Sequence, residues 1–197
     1  MSDQKQLTPK ERLLLDAAEA LFLRLGIRRV TVEEVCRKSG VSKMTFYKYF
    51  SNKYDLARRV VLRMFDDVGR RKWEILRAEK SFHWKAEQLI QMEIDIARDM
   101  SEDFMEDFFK SPELAEITVP MMEEAYRDLD NLYRTAQANG EIRDDVDIEL
   151  IMYMTRNMYA VMMDRSISSH YENMHEFTRQ ITKLFFFGVL SREDRES

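Results

Sequence analysis

Residues 31–50 read Thr31-Val32-Glu33-Glu34-Val35-Cys36-Arg37-Lys38-Ser39-Gly40-Val41-Ser42-Lys43-Met44-Thr45-Phe46-Tyr47-Lys48-Tyr49-Phe50. This stretch decides the architecture of the amino-terminal part of the chain. Thr31 and Glu34 form a capping box that opens a short helix, with Val30 and Val35 placed as a hydrophobic staple. Val32, Val35 and Cys36 fall on the inward side, and Ser39-Gly40 stops the helix after about two turns. Val41 returns to the core, and Ser42 is placed to cap a second helix running from Lys43 to Phe50. Two short helices around a Gly-containing turn make a helix-turn-helix. On the second helix Phe46 and Phe50 share the inward side. Met44 and Lys48 centre the opposite side, flanked by Lys43, Thr45 and Tyr47.

The same punctuation continues outward. Upstream, Thr8-Pro9-Lys10-Glu11 is a capping box with proline at the first helical position. Leu14, Ala17, Ala18, Leu21, Phe22 and Leu25 follow at helical spacing. Gly26 closes that helix and lets Ile27 fold back onto Phe22. Downstream, Asn52 is placed to cap a fourth helix, and Leu56, Val60, Val61, Met64 and Val68 carry it into the 70s. Further helices are expected from Phe82 to about Met100, Glu102 to about Lys110, briefly from Ser111-Pro112-Glu113, and from Pro120 to Asn139. Two more run from Asp147 to about Arg165 and from Tyr171 to Leu190. The expected fold is all-α with about nine helices. A three-helix helix-turn-helix head, residues 1–55, is joined through the long fourth helix to a C-terminal helical bundle within residues 56–197.

Composition excludes the alternatives. Five Gly and three Pro in 197 residues are about 4%, against roughly 12% on average, too few for the turns of a sandwich, barrel or doubly wound sheet. With 34% charged and 45% hydrophobic residues the chain is neither disordered nor membrane-embedded. The longest uncharged run, residues 184–191, is far shorter than the ~20 residues of a bilayer span. The first residues carry no signal-peptide pattern, and the single Cys36 excludes an internal disulfide and a Cys-based zinc site; both fit a cytoplasmic protein. The net charge of −5 is unevenly divided: 14 Lys/Arg against 7 Asp/Glu in residues 1–65, and 17 against 29 in residues 66–197. A basic head is drawn to phosphate, and an acidic body keeps phosphate contact to one end.

The outward face of the Lys43–Phe50 helix has the chemistry to read a duplex. Lysine donates to guanine O6/N7, threonine serves donors or acceptors, and Met or Tyr packs on a thymine methyl. A helix-turn-helix places that helix in the major groove. The run from Gly40 to Phe50, followed by Ser51-Asn52-Lys53-Tyr54-Asp55-Leu56, resembles the signature of the tetracycline-repressor (TetR) family. Ala20-Leu21-Phe22, Gly26, Thr31-Val32 and Val35 also fit, so that the likeness covers residues 10–57. The resemblance implies that Thr31 touches a phosphate through its hydroxyl and backbone N–H. It implies base or groove contacts for Lys43, Met44, Thr45, Tyr47 and Lys48, and backbone-phosphate contacts for Tyr49 and Lys53; Ser42 at the helix mouth is counted among the DNA-binding residues. Glu33 matches a position that contributes base contacts in some members.

The family also pairs its last two helices with those of a second subunit. Independently, the helix after Asp147 (Ile148, Ile151, Met152, Met154, Met158, Tyr159, Val161, Met162) and the last one (Phe177, Ile181, Leu184, Phe185, Phe186, Phe187, Val189) are apolar on more than one face, as a homodimer requires. Candidate interface residues are Met154, Tyr159, Met162, Ile181, Phe185 and Val189. Eleven of the 14 methionines follow residue 91, and a Met/aromatic interior adapts to a small apolar effector. Trp84, Met92, Phe104, Phe108, Met122, Tyr126 and Met158 are candidates for its pocket. The expected partners are double-stranded DNA with a palindromic operator, a second copy, and an unidentified small-molecule effector; no membrane, metal or cofactor is expected. Two other classes fit the sequence less well. A carboxylate-bridged metal enzyme needs two Glu-x-x-His motifs, and the chain offers one, Glu172 to His175. A protein–protein adaptor leaves the basic head unexplained. The chain is therefore expected to be a regulator that acts as a repressor, and not an enzyme.

Overall fold

The computed structural model describes residues 7–162, 164–172, 176–177, 179–181 and 184. Nine helices are bounded among them: α1 Pro9–Leu25, α2 Val32–Ser39, α3 Lys43–Tyr49, α4 Lys53–Arg77, α5 Phe82–Arg98, α6 Glu102–Lys110, α7 Pro112–Ala138, α8 Ile148–Met162 and α9 Arg165–Ser168; residues 176–177, 179–181 and 184 are helical as well. The fold is all-α, as the sequence led us to expect. The helix expected over residues 171–190 falls mostly outside the described residues. The chain forms two compact units. One comprises the residues up to Gly69 with Asp99–Pro120, and the other comprises Arg70–Arg98 with the residues from Met121 onward.

In the first unit each helix begins and ends where its local chemistry dictates. Thr8 and Glu11 make the capping box of α1, and Thr31 and Glu34 that of α2. Ser42 accepts from the Thr45 N–H to start α3, and Asn52 Oδ1 accepts from the Tyr54 and Asp55 N–H groups to start α4. Gly40 sits in the left-handed region at φ 69°, its N–H donating to the Cys36 carbonyl, a conformation glycine adopts at no steric cost. Leu14, Ala18 and Phe22 of α1 meet Val35, Phe46, Phe50, Leu56 and Val60 in one core. Each fully buried Leu, Val or Phe contributes about 1.5–3 kcal/mol against exposure. α6 adds Phe104 to the same core, and the Ser101 N–H before it donates to the Leu23 carbonyl at 2.8 Å.

Pro120 does not divide two helices, as its position suggests; α7 runs through it. Proline leaves the Glu116 carbonyl without its helical donor, but Glu116 and Pro120 lie on the exposed side, where water replaces the lost bond. Leu114 and Thr118 on the opposite side are buried, and the Thr118 hydroxyl donates to the Leu114 carbonyl at 3.2 Å.

The second unit gathers Phe82 and Ala86 of α5, Tyr133 and Ala136 of α7, Ile142, and Ile148, Ile151 and Met152 of α8. Gly140, at φ 77°, turns the chain after α7. Gln137 then orders the return, its side-chain amide donating to the Arg143 and Val146 carbonyls at 2.9 and 2.8 Å. Glu141 accepts from the Phe82 N–H and so caps α5.

Candidate nucleic-acid interface

α3 is seven residues long, and its inner side is fixed by Phe46 and Phe50, both buried and 5.6 Å apart between ring centres. With that side anchored, the opposite one is determined. Met44 is 78% exposed and Tyr47 58%; Lys43 and Lys48 are exposed and Thr45 is half-buried. The face therefore presents two ammonium groups, a phenol and a thioether on a helix that cannot rotate without uncovering two phenyl rings.

Several of the polar groups already have partners. Lys43 forms an ion pair with Glu33 of α2, which raises the Lys43 pKa and lowers that of Glu33 through their hydrogen bond. Both groups are solvent-exposed, so the pair is weak and breakable. Thr31 is occupied as a cap: its N–H and hydroxyl both donate to Glu34 Oε2, at 2.8 and 2.9 Å. A phosphate seeking the Thr31 N–H must first displace that carboxylate. The Tyr49 hydroxyl accepts from Thr8 Oγ1 at 3.0 Å, which ties α3 to the start of α1. The Lys53 ammonium donates to the Arg28 carbonyl at 2.7 Å, and burial lowers its pKa.

The other side of the Arg28 residue is held as well, by a group that sequence reading did not single out. Asp107 of α6, 3% exposed, accepts from the Arg28 N–H at 2.9 Å and from the Arg28 Nε. Gly26 makes room for it. A Cβ there would stand 2.9 Å from Asp103 Cβ and 3.0 Å from Asp107 Oδ2, at a φ of 78°. Thus α4 and α6 grip the short loop that sets where α2 begins. A carboxylate 79 residues from its partner leaves no local signal; the only hint is an acidic residue on the inward stripe of Phe104, Asp107 and Phe108.

Residues 14–60 match the family described as bacterial regulatory proteins of the tetR type. The match is confined to the head of the chain. Solved structures agree along nearly the whole chain. The ketosteroid transcriptional regulator KstR2 of Mycobacterium tuberculosis is 15% identical with a TM-score of 0.68, covering 95% of this chain and 98% of its own. The regulator FadR of Bacillus subtilis, in complex with stearoyl-CoA, is 16% identical with a TM-score of 0.68 over 88% and 96%. A Saccharomonospora viridis protein assigned to the transcriptional regulators, in complex with choline, is 17% identical with a TM-score of 0.77 over 92% and 97%. At these identities the likeness is one of fold.

The other candidate residues fall in several places. Trp84 and Met92 share a groove of about 370 Å³ between α4 and α5, lined also by Arg71, Ile75, Gln88 and Asp95. Tyr126 packs at the edge of the second core with the Arg156 guanidinium 4.5 Å from its ring centre, and Met122 and Met158 are half-buried in the same unit. Phe104 and Phe108 belong to the core of the first unit, where Phe108 stacks on Phe65. On α8, Met154 is exposed together with Leu150, Tyr153 and Val161. Their spacing forms one apolar side opposite buried Ile148, Ile151 and Met152. Leu150 and Tyr153 were not singled out from sequence, although that spacing carries the signal. Ile181 is half-buried; the side chains of Tyr159 and Met162 and all of Phe185 and Val189 lie outside the described residues. Among the described residues no group of three or more His, Cys, Asp and Glu is placed to hold a metal ion, and His175 lies outside them. No helix of the described residues is long and apolar enough to cross a membrane.

Proposed function

We propose that this chain is a tetR-family transcriptional regulator, a cytoplasmic homodimer that represses its targets by binding a palindromic operator, and that a small apolar effector releases it. The observation that carries the DNA-binding part is α3. Met44, Tyr47 and Lys48 stand out from a helix whose other side is pinned by buried Phe46 and Phe50. In this reading residues 1–55 form the DNA-binding domain. Lys43, Met44, Thr45, Tyr47 and Lys48 enter the major groove, and Thr31, Ser42, Tyr49 and Lys53 position the head on phosphates. Lys43 and Lys53 exchange their present partners for DNA on binding.

Residues 56–197 then serve dimerisation and effector binding. The outward apolar side of α8 supports a second copy as partner, and a dimer sets two reading helices about 34 Å apart, one turn of duplex. The ligands named for the structurally similar proteins, stearoyl-CoA and choline, support an effector that enters the body. A coupling of about 1–3 kcal/mol between effector and operator weakens DNA binding 5–150-fold. No catalytic constellation enters this reading.

Selection of genomic fragments on the purified chain tests it. A specific, salt-sensitive duplex is expected, with affinity about tenfold or more lower for Lys43→Ala, Tyr47→Ala or Lys53→Ala. Recovery of no specific fragment, with those variants unchanged, overturns the assignment. Sedimentation separately tests the dimer: a species of 23.7 kDa at micromolar concentration refutes it.

A further inference from the structure

The outer face of α3 is chemically lopsided. Its two most prominent groups are apolar: the Met44 thioether, 78% exposed, and the Tyr47 ring, 58% exposed. They stand three residues apart on one side of the helix, which sets their Cβ atoms about 5–6 Å from each other. The fully buried Phe46 meets Tyr47 edge to face, with ring centres 5.2 Å apart and planes at 84°. That contact steadies the phenol ring against the helix.

The hydrogen-bonding groups beside this pair are already engaged. Lys43 is paired with Glu33, and the Ser42 and Thr45 hydroxyls are bonded to each other at 3.1 Å. Lys43 and Thr45 therefore reach a base edge only by giving up a present partner. Met44 and the Tyr47 ring give up only water, and covering them is favourable in itself. The apolar pair lies in a head that carries 14 Lys/Arg against 7 Asp/Glu in residues 1–65. Its partner is then a polyanion that presents apolar points. The major groove of a duplex does so, and the apolar feature of its base edges is the pyrimidine 5-methyl group. Stacked bases rise about 3.4 Å along a strand, so the spacing of the pair exceeds one step and falls short of two.

We propose that Met44 and Tyr47 are the specificity-determining residues of the head, and that they read the 5-methyl groups of two neighbouring pyrimidines, thymine or 5-methylcytosine, in the major groove. The proposal rests on the DNA-binding reading above and sharpens it, and changes confined to the DNA separate the failure of one from that of the other.

The experiment is selection of duplexes by the full chain from a randomised library, followed by fluorescence anisotropy on the recovered duplex with dT replaced by dU, or dC by 5-methyl-dC, one position at a time. Each dT→dU change removes one methyl and leaves every hydrogen-bonding group of the base in place. We expect two neighbouring positions at which dU lowers affinity about fourfold, the worth of one buried carbon, and at which methylating a cytosine placed there raises it by a like factor. Covering a methyl releases no counterion, so the factor holds as salt rises while the overall affinity falls. One of the two effects is lost in Met44→Ala and the other in Tyr47→Ala; melts matching the wild type establish that these exposed positions leave the fold intact. A duplex bound specifically but indifferent to dT→dU at every position overturns the proposal and leaves the DNA-binding reading standing, as does methyl sensitivity that survives in both variants. Recovery of no specific duplex overturns the DNA-binding reading and the proposal with it.

Discussion

Replacing Asp107 by Ala removes both bonds that α6 makes to Arg28 and tests which of them holds the loop before α2. The two differ in kind. The Arg28 N–H is a backbone donor that, once released, has to find another acceptor at a part-buried position; leaving it unmet costs about 1–3 kcal/mol. The guanidinium is 64% exposed, so its pairing with Asp107 is screened and adds little. The expected order of destabilisation is therefore Asp107→Ala, about 1–3 kcal/mol, then Asp107→Asn, whose amide oxygen still accepts from the N–H, then Arg28→Ala, the smallest. Urea denaturation read by circular dichroism, with the double variant to close the cycle, measures each value. If Arg28→Ala costs as much as Asp107→Ala, the guanidinium arm carries the contact and the argument from the backbone donor fails.

Glu33→Ala frees Lys43 and removes a carboxylate from the reading face; the affinity for duplex DNA at low salt is expected to rise several-fold, and the slope of log K against log salt to steepen by about one phosphate contact. A fluorescence-anisotropy titration in three salt concentrations checks this, and an unchanged slope refutes it. Gly69 lies inside α4 with open space where a Cβ would stand, so Gly69→Ala is expected to stabilise by about 0.5–1 kcal/mol. Gly26→Ala should do the opposite, by more than about 1 kcal/mol, since its φ and Asp103 both exclude a side chain; thermal melts of the two variants moving in the same direction would contradict the geometry. Glu93 has a raised pKa in the folded chain, so the folded state binds that proton more tightly than the unfolded one. Stability is then lost as pH rises above the usual Glu value of 4.5. Glu93→Gln should accordingly melt above wild type at pH 8, with the gap closing towards pH 4; a gap independent of pH excludes the linkage.

The head was legible because its signals are local. Thr8, Thr31, Ser42 and Asn52 cap the helices they precede, each within four residues of its partner, and the Phe46–Phe50 stripe faces inward as its spacing requires. What sequence left hidden depends on distance. Asp107 meets Arg28 across 79 residues. Pro120 continues a helix because of what lies on the far side of the same turn. The likeness to the tetR family assigned Lys53 to phosphate, whereas in the free chain its ammonium rests on a carbonyl; a motif records the residue but not its partner at rest.

The outward side of α8 has a thermodynamic corollary. Leu150, Tyr153, Met154 and Val161 leave it apolar in the single chain, and any second body that covers it enters the folding equilibrium through mass action. In the proposed dimer stability becomes a function of how much protein is present: the melting temperature rises with concentration and dilution itself acts as a denaturant. A cell holding few copies would keep this chain closer to unfolding than a test tube does, and a stability measured at one concentration would describe only that concentration.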